Sequence, residues 1–233
     1  MESKNIKWYN YTWNLFEEKL DYSHNEFLLK NHEKAVYFRM IRRLMSKKNC
    51  LLSLFIASFM ILVPIANAET YPGGRNSAVF YAYYDSSVAS YGYTAQYDAA
   101  RSNWAGLSSK VAVNKSGSIT SGTDKYYVGL TANVGYLGQH IPYNSSGIQT
   151  NNNSSWGYST VAIYHNTMTN PPPPYSPLSY SEVVSNATHE IGHSLSLDHT
   201  SQSSSAISVM KQGIQAIGPQ SYDINSLRSK WGN

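Results

Sequence analysis

The hydrophobic and polar positions divide the chain near residue 68. One apolar run, Leu51 to Ile65, precedes this point, and beyond it the apolar stretches are short and separated by Ser, Asn, Gly and Pro. Short apolar and aromatic runs bounded by turn residues are typical of β-strands. They predict strands over residues 78–84, 111–113, 126–130 and 161–164, whereas residues 135–140 and 151–155 are predicted to be loops.

Three later stretches have the spacing of amphipathic helices. The first follows Thr94, where an apolar stripe recurs at helical intervals; its members are Tyr97, Ala100, Trp104 and Leu107. A capping box, Ser179 to Glu182, predicts that a second helix starts at Ser179. The apolar face of this helix comprises Val184, Ala187, Ile191 and Leu195. The third is predicted over residues 221–231, with Gly232 as terminator.

The apolar run before residue 68 has the flanks of an export signal. Four basic residues precede it, and Ala66-Asn67-Ala68 follows it. This order predicts a secretory signal peptide over residues 40–68, cleaved after Ala68. The run is shorter than the roughly 20 residues of a membrane-spanning helix, although a signal anchor is the alternative. We therefore expect a secreted, extracellular protein without stable membrane association after cleavage.

Residues 1–39 do not fit this organisation, because export signals begin near the true N-terminus. We expect translation to start at Met40 or Met45, with residues 1–39 as upstream reading frame; a cytoplasmic extension is the alternative. Residues 69–233 then form one domain large enough to bury a core.

Composition narrows the class of protein. The ten basic and six acidic residues before Glu69 account for the whole net charge of +4, and residues 69–233 hold eight of each. Without a basic excess, nothing favours a nucleic acid or a membrane surface as partner. The only cysteine, Cys50, lies in the predicted signal, so the exported part has no disulfide, as is common for a secreted bacterial enzyme.

The most informative stretch runs from Thr188 to Thr200. His189 and His193 are four residues apart, so on a helix both imidazoles face one ion, and His199 follows as a third ligand. Three nitrogen ligands suit Zn²⁺ and leave its fourth position to a water, as in catalytic sites. Glu190 is adjacent and is predicted to be the general base for that water.

This pattern, with Met210 in Ser208-Val209-Met210, resembles the metzincin zinc metallopeptidases, and its Leu-Asp-His ending is most similar to small bacterial matrixin-like members. The resemblance implies an α+β catalytic domain: a twisted, mostly parallel sheet, an N-terminal helix, a zinc-binding helix, a Met-turn at Met210 and a C-terminal helix. It also implies a monomer that cleaves a protein or peptide substrate laid along an edge strand within residues 130–160.

Two positions depart from the family pattern. The glycine that lets the chain turn after the second histidine is Ser196 here, and a serine in the left-handed conformation costs roughly 1–2 kcal/mol. The tyrosine that some members carry two residues after the methionine is Gln212, so no metal or oxyanion role is predicted there.

Other metal sites and another function were weighed. His140 and His165 lack nearby ligand partners, so we expect surface or hydrogen-bonded histidines. Ca²⁺ is possible by family resemblance, but no carboxylate cluster supports it. The alternative function is an exported binding or cell-surface module on the same scaffold, with a tyrosine-rich surface and little or no peptidase activity.

Overall fold

The structure of the protein, a computed structural model, describes residues 69–233. The predicted export signal and residues 1–39 lie outside the described residues. Within residues 69–233, no helix is both long and apolar enough to span a membrane.

A five-stranded sheet organises the described part of the chain. Its strands are β2 (Val79–Tyr84), β3 (Ala112–Ser116), β4 (Asp124–Gly129), β5 (Gly138–Tyr143) and β7 (Tyr158–Tyr164). Their order is β3-β2-β4-β7-β5; the first four are mutually parallel, and β5 pairs antiparallel with β7 at one edge. Two short strands, β1 (Gly74–Arg75) and β6 (Ser155–Trp156), form a separate parallel pair.

Five helices accompany these strands in residues 69–233. They are α1 (Ser86–Ser90), α2 (Thr94–Trp104), α3 (His165–Thr169), α4 (Tyr180–Ser194) and α5 (Ser221–Trp231). α2 and α4 contact each other, and α4 also contacts β5 and β7. The tie between the two helices is specific, because the indole N–H of Trp104 donates to the Thr188 carbonyl at 3.0 Å. The chain is thus a mixed α/β domain with a mostly parallel sheet.

Alternation along the strands explains where the core lies. Successive strand residues face opposite sides of a sheet, and the alternate positions of β2, β4 and β7 are buried: Phe80, Ala82, Tyr126, Val128, Val161 and Ile163. On the opposite face, Val79 and Tyr81 are each 53% exposed. One face therefore holds the core with α2 and α4.

Most predicted elements are confirmed, and one is wrong. The stripe on α2 is buried at Tyr97, Ala100 and Trp104, but the helix ends at Trp104, so Leu107 lies beyond it. The helix begins at Thr94, and Tyr93 is its N-cap. The capping box at Ser179 is formed, and α5 ends at Gly232 with φ 87°. Residues 135–140 were predicted to be a loop, but Gly138–His140 belong to β5. The strand was not predicted because it contains Gly138 and Pro142, and both residue types are depleted in strands.

Candidate metal centre

The zinc-binding helix predicted from the sequence is α4, and its two faces have different roles. Ala187, Ile191 and Leu195 are fully buried in the core, whereas Val184, predicted on the same face, is only partly buried. His189 and His193 lie on the other side and line a cleft of about 360 Å³. The amphipathic pattern of the helix therefore directs both imidazoles toward one open space.

The third histidine reaches the same point because the chain reverses immediately after α4. Ser196 has φ 67°, so this serine takes the left-handed conformation expected where the family pattern has glycine. The Leu197 N–H donates to the Gly192 carbonyl at 3.1 Å and the Ser196 N–H to the His193 carbonyl at 2.9 Å. These bonds close a left-handed helix C-terminus and bring His199 back to the cleft.

The three imidazoles meet at their Nε2 atoms. The Nε2 atoms of His189, His193 and His199 are 3.1 Å apart in each of the three pairs. In a tetrahedral zinc site with Zn–N bonds of about 2.0–2.1 Å, two ligand nitrogens lie about 3.3–3.4 Å apart. The observed spacing is therefore close to that of three ligands of one such ion. Within residues 69–233, this is the only group of three or more potential ligands that meets a metal-site geometry.

The opposite ring nitrogens fix the tautomer of two ligands. Nδ1 of His189 lies 2.8 Å from the Val209 carbonyl, and Nδ1 of His193 lies 2.8 Å from the Leu197 carbonyl. A carbonyl only accepts, so each Nδ1 carries the proton and each Nε2 keeps a lone pair. Facing lone pairs cannot hydrogen-bond to one another, whereas one metal cation would satisfy all of them. The donor set therefore fits a zinc ion.

Burial keeps these rings neutral. It lowers the pKa of His189 to about 4, lowers that of His193 well below its usual range, and lowers that of His199. At neutral pH all three are therefore in the unprotonated form that binds metal.

Glu190 lies in the same cleft and is almost completely buried. Burial raises its pKa from the ordinary value of 4.5 to about 8. Gly138 of β5 lies against it: a Cβ added there would lie 2.7 Å from Glu190 Cγ and 2.7 Å from its Oε1. Only a residue without a side chain leaves the carboxylate in this position.

Met210 lies under α4, away from the cleft opening. It is 2% exposed, and a Cβ added at Gly192 would collide with its sulfur. The turn that carries it is tied to α5, because the Asp223 carboxylate accepts hydrogen bonds from the Ser208 hydroxyl at 2.5 Å and the Val209 N–H at 3.0 Å. Since the Val209 carbonyl accepts from His189, Asp223 supports a ligand through the turn.

Two supporting residues, Tyr71 and Asp223, escaped sequence analysis. The Tyr71 hydroxyl lies 2.8 Å from His193 Nδ1, and the two residues are 122 positions apart. No local spacing signals such a contact. Asp223 had a visible signal, since it follows Gln220 by three residues as in a capping box, and that box is formed.

The other two histidines of residues 69–233 are hydrogen-bonded. Nε2 of His140 lies 2.8 Å from the Ser159 hydroxyl, and Nδ1 of His165 lies 2.9 Å from the Tyr93 hydroxyl. His140 is nonetheless part of the cleft wall, with its ring centroid 5.9 Å from that of His193. Burial lowers its pKa to about 3, so it adds no positive charge to the cleft.

Comparisons with known proteins add little to this picture. No known family model matches the chain, and no curated protein matches it. Among solved structures, a chain of the "GM1 bound form of the ECX AB5 holotoxin" is similar, with 16% identity and a TM-score of 0.43 over 66% of this chain and 80% of that chain. A TM-score this low supports no argument about fold or function.

Proposed function

We propose that the protein is an exported zinc endopeptidase of the metzincin type. The observation that carries the proposal is the convergence of three Nε2 atoms, each 3.1 Å from the other two, beside the buried Glu190. Three histidine ligands leave one position for water, and an adjacent carboxylate is the base that a hydrolytic site requires. The order of helix, sheet, antiparallel edge strand, ligand helix, methionine turn and C-terminal helix agrees with this family.

The side chains divide the chemistry between them. His189, His193 and His199 hold the ion, which when bound polarises the substrate carbonyl and acidifies a water. Glu190 accepts the proton of that water as it attacks the carbonyl carbon. The same carboxyl then gives the proton to the amine that leaves when the C–N bond breaks, which balances the reaction. Without metal, burial raises the Glu190 pKa to about 8; a cation held by the three histidines would lower it again, so that the carboxyl could both accept and return a proton near neutral pH.

The edge strand β5 offers main-chain groups to an extended peptide. The Leu137 carbonyl accepts from the Tyr164 N–H of β7, so alternation turns the backbone groups of Gly138 and His140 away from β7. Pro142 is the next residue whose backbone faces away from β7, and it has no N–H to donate. An added strand can therefore pair only with the part of β5 near Glu190. We infer that substrate binds by adding a strand here.

The cleft wall indicates the chemistry of a preferred substrate. Of the described residues that line it, only Glu190 is charged, since the histidines are neutral. Several carry amide side chains: Gln139, Asn152, Asn186, Gln212 and Gln215. Apart from Glu190, which is reserved for catalysis in this proposal, the wall offers a charged substrate side chain no partner of opposite charge to offset its lost hydration. We expect cleavage next to neutral residues.

The decisive experiment measures zinc and hydrolysis together. Purified protein is analysed for zinc by elemental analysis and assayed on casein with and without a chelator. One zinc per chain and chelator-sensitive cleavage are expected. Glu190→Gln should keep the zinc and lose activity by at least about 10²-fold, whereas the control Glu182→Gln, on the exposed start of the same helix, should retain it. Absence of zinc from the wild-type protein would refute the proposal.

A binding module on the same scaffold is the second candidate. It is favoured by the tyrosines on the open face of the sheet, where Tyr81 is 53% exposed and Tyr143 stacks on Tyr158 with centroids 5.1 Å apart. A purely structural metal site would need no base, and Glu190 is present. Unchanged biological activity in Glu190→Ala would favour this candidate over the peptidase.

A further inference from the structure

The first seven described residues form a strap across the metal centre, here named the N-terminal strap (residues 69–75). It runs antiparallel to the chain just before His199. The Asp198 N–H donates to the Glu69 carbonyl at 2.9 Å, and the Tyr71 N–H donates to the Ser196 carbonyl at 3.0 Å. Thr70 lies opposite Leu197 in the same bridge. The turn between the second and third histidines is therefore held from outside as well as by α4.

Ser196 gives the strap a further attachment that glycine would not provide. Its hydroxyl accepts a hydrogen bond from the Arg75 N–H at 2.9 Å, and it is fully buried. A glycine would take the same φ of 67° without strain but has no hydroxyl to accept this bond. The departure from the family pattern therefore coincides with a contact between the turn and the strap.

Tyr71 connects the N-terminal strap to the side chain of His193. Its hydroxyl lies 2.8 Å from His193 Nδ1, and its ring lies over the imidazole with a centroid distance of 5.6 Å and an interplanar angle of 28°. The side chain is 7% exposed, and the edge of Trp156 packs against its ring, with 6.1 Å between centroids. Its orientation is thus fixed by packing before any ion binds.

The hydroxyl of Tyr71 and the Leu197 carbonyl share one partner. Both oxygens lie 2.8 Å from His193 Nδ1. Because the Leu197 carbonyl can only accept, Nδ1 carries the proton, and the tyrosine oxygen is a second acceptor beside the same N–H. Tyr71 also lines the cleft, but its hydroxyl contacts the nitrogen of His193 that faces away from the other two histidines, so it acts through that ligand.

We propose that Tyr71 is a positioning residue of the metal centre, which fixes the tautomer and orientation of His193, and that Ser196 anchors the strap that carries it. Hydrogen bonds to the second nitrogen of a ligand histidine raise metal affinity because the lone pair is aimed in advance. The inference rests on the zinc site proposed above but not on peptidase activity, so metal affinity tests it separately.

The first test is Tyr71→Phe in the purified protein, which keeps the ring and removes the hydroxyl. Zinc affinity is measured by competition with a chromophoric chelator, and roughly 10-fold weaker binding is expected, at the low end of the range for such partners. Co²⁺ serves as a spectroscopic probe, and its visible absorption should shift because one imidazole is less constrained. Tyr175→Phe is the control, since Tyr175 is 61% exposed and remote from the cleft residues.

The second test is Ser196→Gly, which relieves the strained φ and removes the small side chain whose hydroxyl accepts from Arg75. We expect weaker zinc binding despite the relaxed backbone, by a few fold, and this variant carries the test should Tyr71→Phe not fold. Zinc affinity within two-fold of wild type for folded Tyr71→Phe would overturn the positioning role, and unchanged affinity in Ser196→Gly would overturn the anchor. Wild-type protein that binds zinc but cleaves nothing would refute the peptidase alone and leave these affinity comparisons intact.

Discussion

The buried carboxyl of Glu190 makes the metal-free protein sensitive to pH in a specific direction. Its pKa is raised from 4.5 to about 8 by burial, so between these values the folded protein holds a proton that the unfolded chain has released. Stability linked to this group is complete below pH 4.5 and is lost as the pH rises through 8. Each pH unit in that interval costs about 1.4 kcal/mol.

Glu190→Gln removes this dependence, because glutamine has nearly the shape of the protonated acid and never ionises. Between pH 5 and pH 8 the metal-free wild-type protein should lose at most about 4 kcal/mol relative to the variant. For about 165 residues that corresponds to a difference in melting temperature of roughly 10 °C. The assay is thermal unfolding of chelated protein at several pH values, and only the difference between the two proteins is interpreted.

This difference separates Glu190 from the histidines. Buried neutral His189 and His193 have lowered pKa values, so both proteins lose stability as the pH falls below 6.5, and the comparison cancels that loss. Added zinc should shrink the difference, because a nearby cation favours the carboxylate. A stability difference that changes by less than about 1 kcal/mol between pH 5 and 8 without metal would refute the reasoning.

Two glycine substitutions test the packing around the site. Gly138→Ala should lower kcat/KM by about 10²-fold with zinc content unchanged. The new methyl group would lie only 2.7 Å from the Glu190 carboxylate and would push it out of its position. Full activity of the variant would show that catalysis does not depend on this position of the carboxylate. Gly192→Ala should reduce the free energy of unfolding by about 1–2 kcal/mol, since collision with the Met210 sulfur exceeds the gain in helix propensity. Gly117→Ala is the control in chemical denaturation, because a Cβ at this position meets no atom within 4 Å. Equal stability of Gly192→Ala and Gly117→Ala would contradict this account of the packing.

The ligand helix and its histidines were predictable because their signals are local. The capping box at Ser179, the apolar face of α4 and the spacing of His189 and His193 all lie within one helix, where backbone geometry alone decides which residues share a face. The left-handed turn at Ser196 was expected from the family resemblance, at the position where the family pattern has glycine. In these cases residues close in sequence determined the outcome.

The edge strand β5 could not be predicted in the same way. Its sequence contains Gly138 and Pro142, which argue against a strand. It is held by pairing with β7, whose residues lie 15 to 25 positions later in the chain. Gly138 is there because Glu190 lies against it. Gly138, which leaves room for Glu190, thus weakens the local sequence signal of the strand β5.

The same reasoning explains why the supports of the candidate metal centre were missed although its three histidines were recognised. Tyr71 and Asp223 lie near the two ends of the described chain, and each reaches a ligand histidine, Tyr71 directly and Asp223 through the turn at Val209. Ligand spacing is constrained by the ion and leaves a pattern, whereas a supporting oxygen can come from any segment that passes nearby. Since the two supports hold His193 and His189 independently, removing one should leave the other ligand positioned, and the losses in zinc affinity of Tyr71→Phe and Asp223→Asn should combine additively in the double variant.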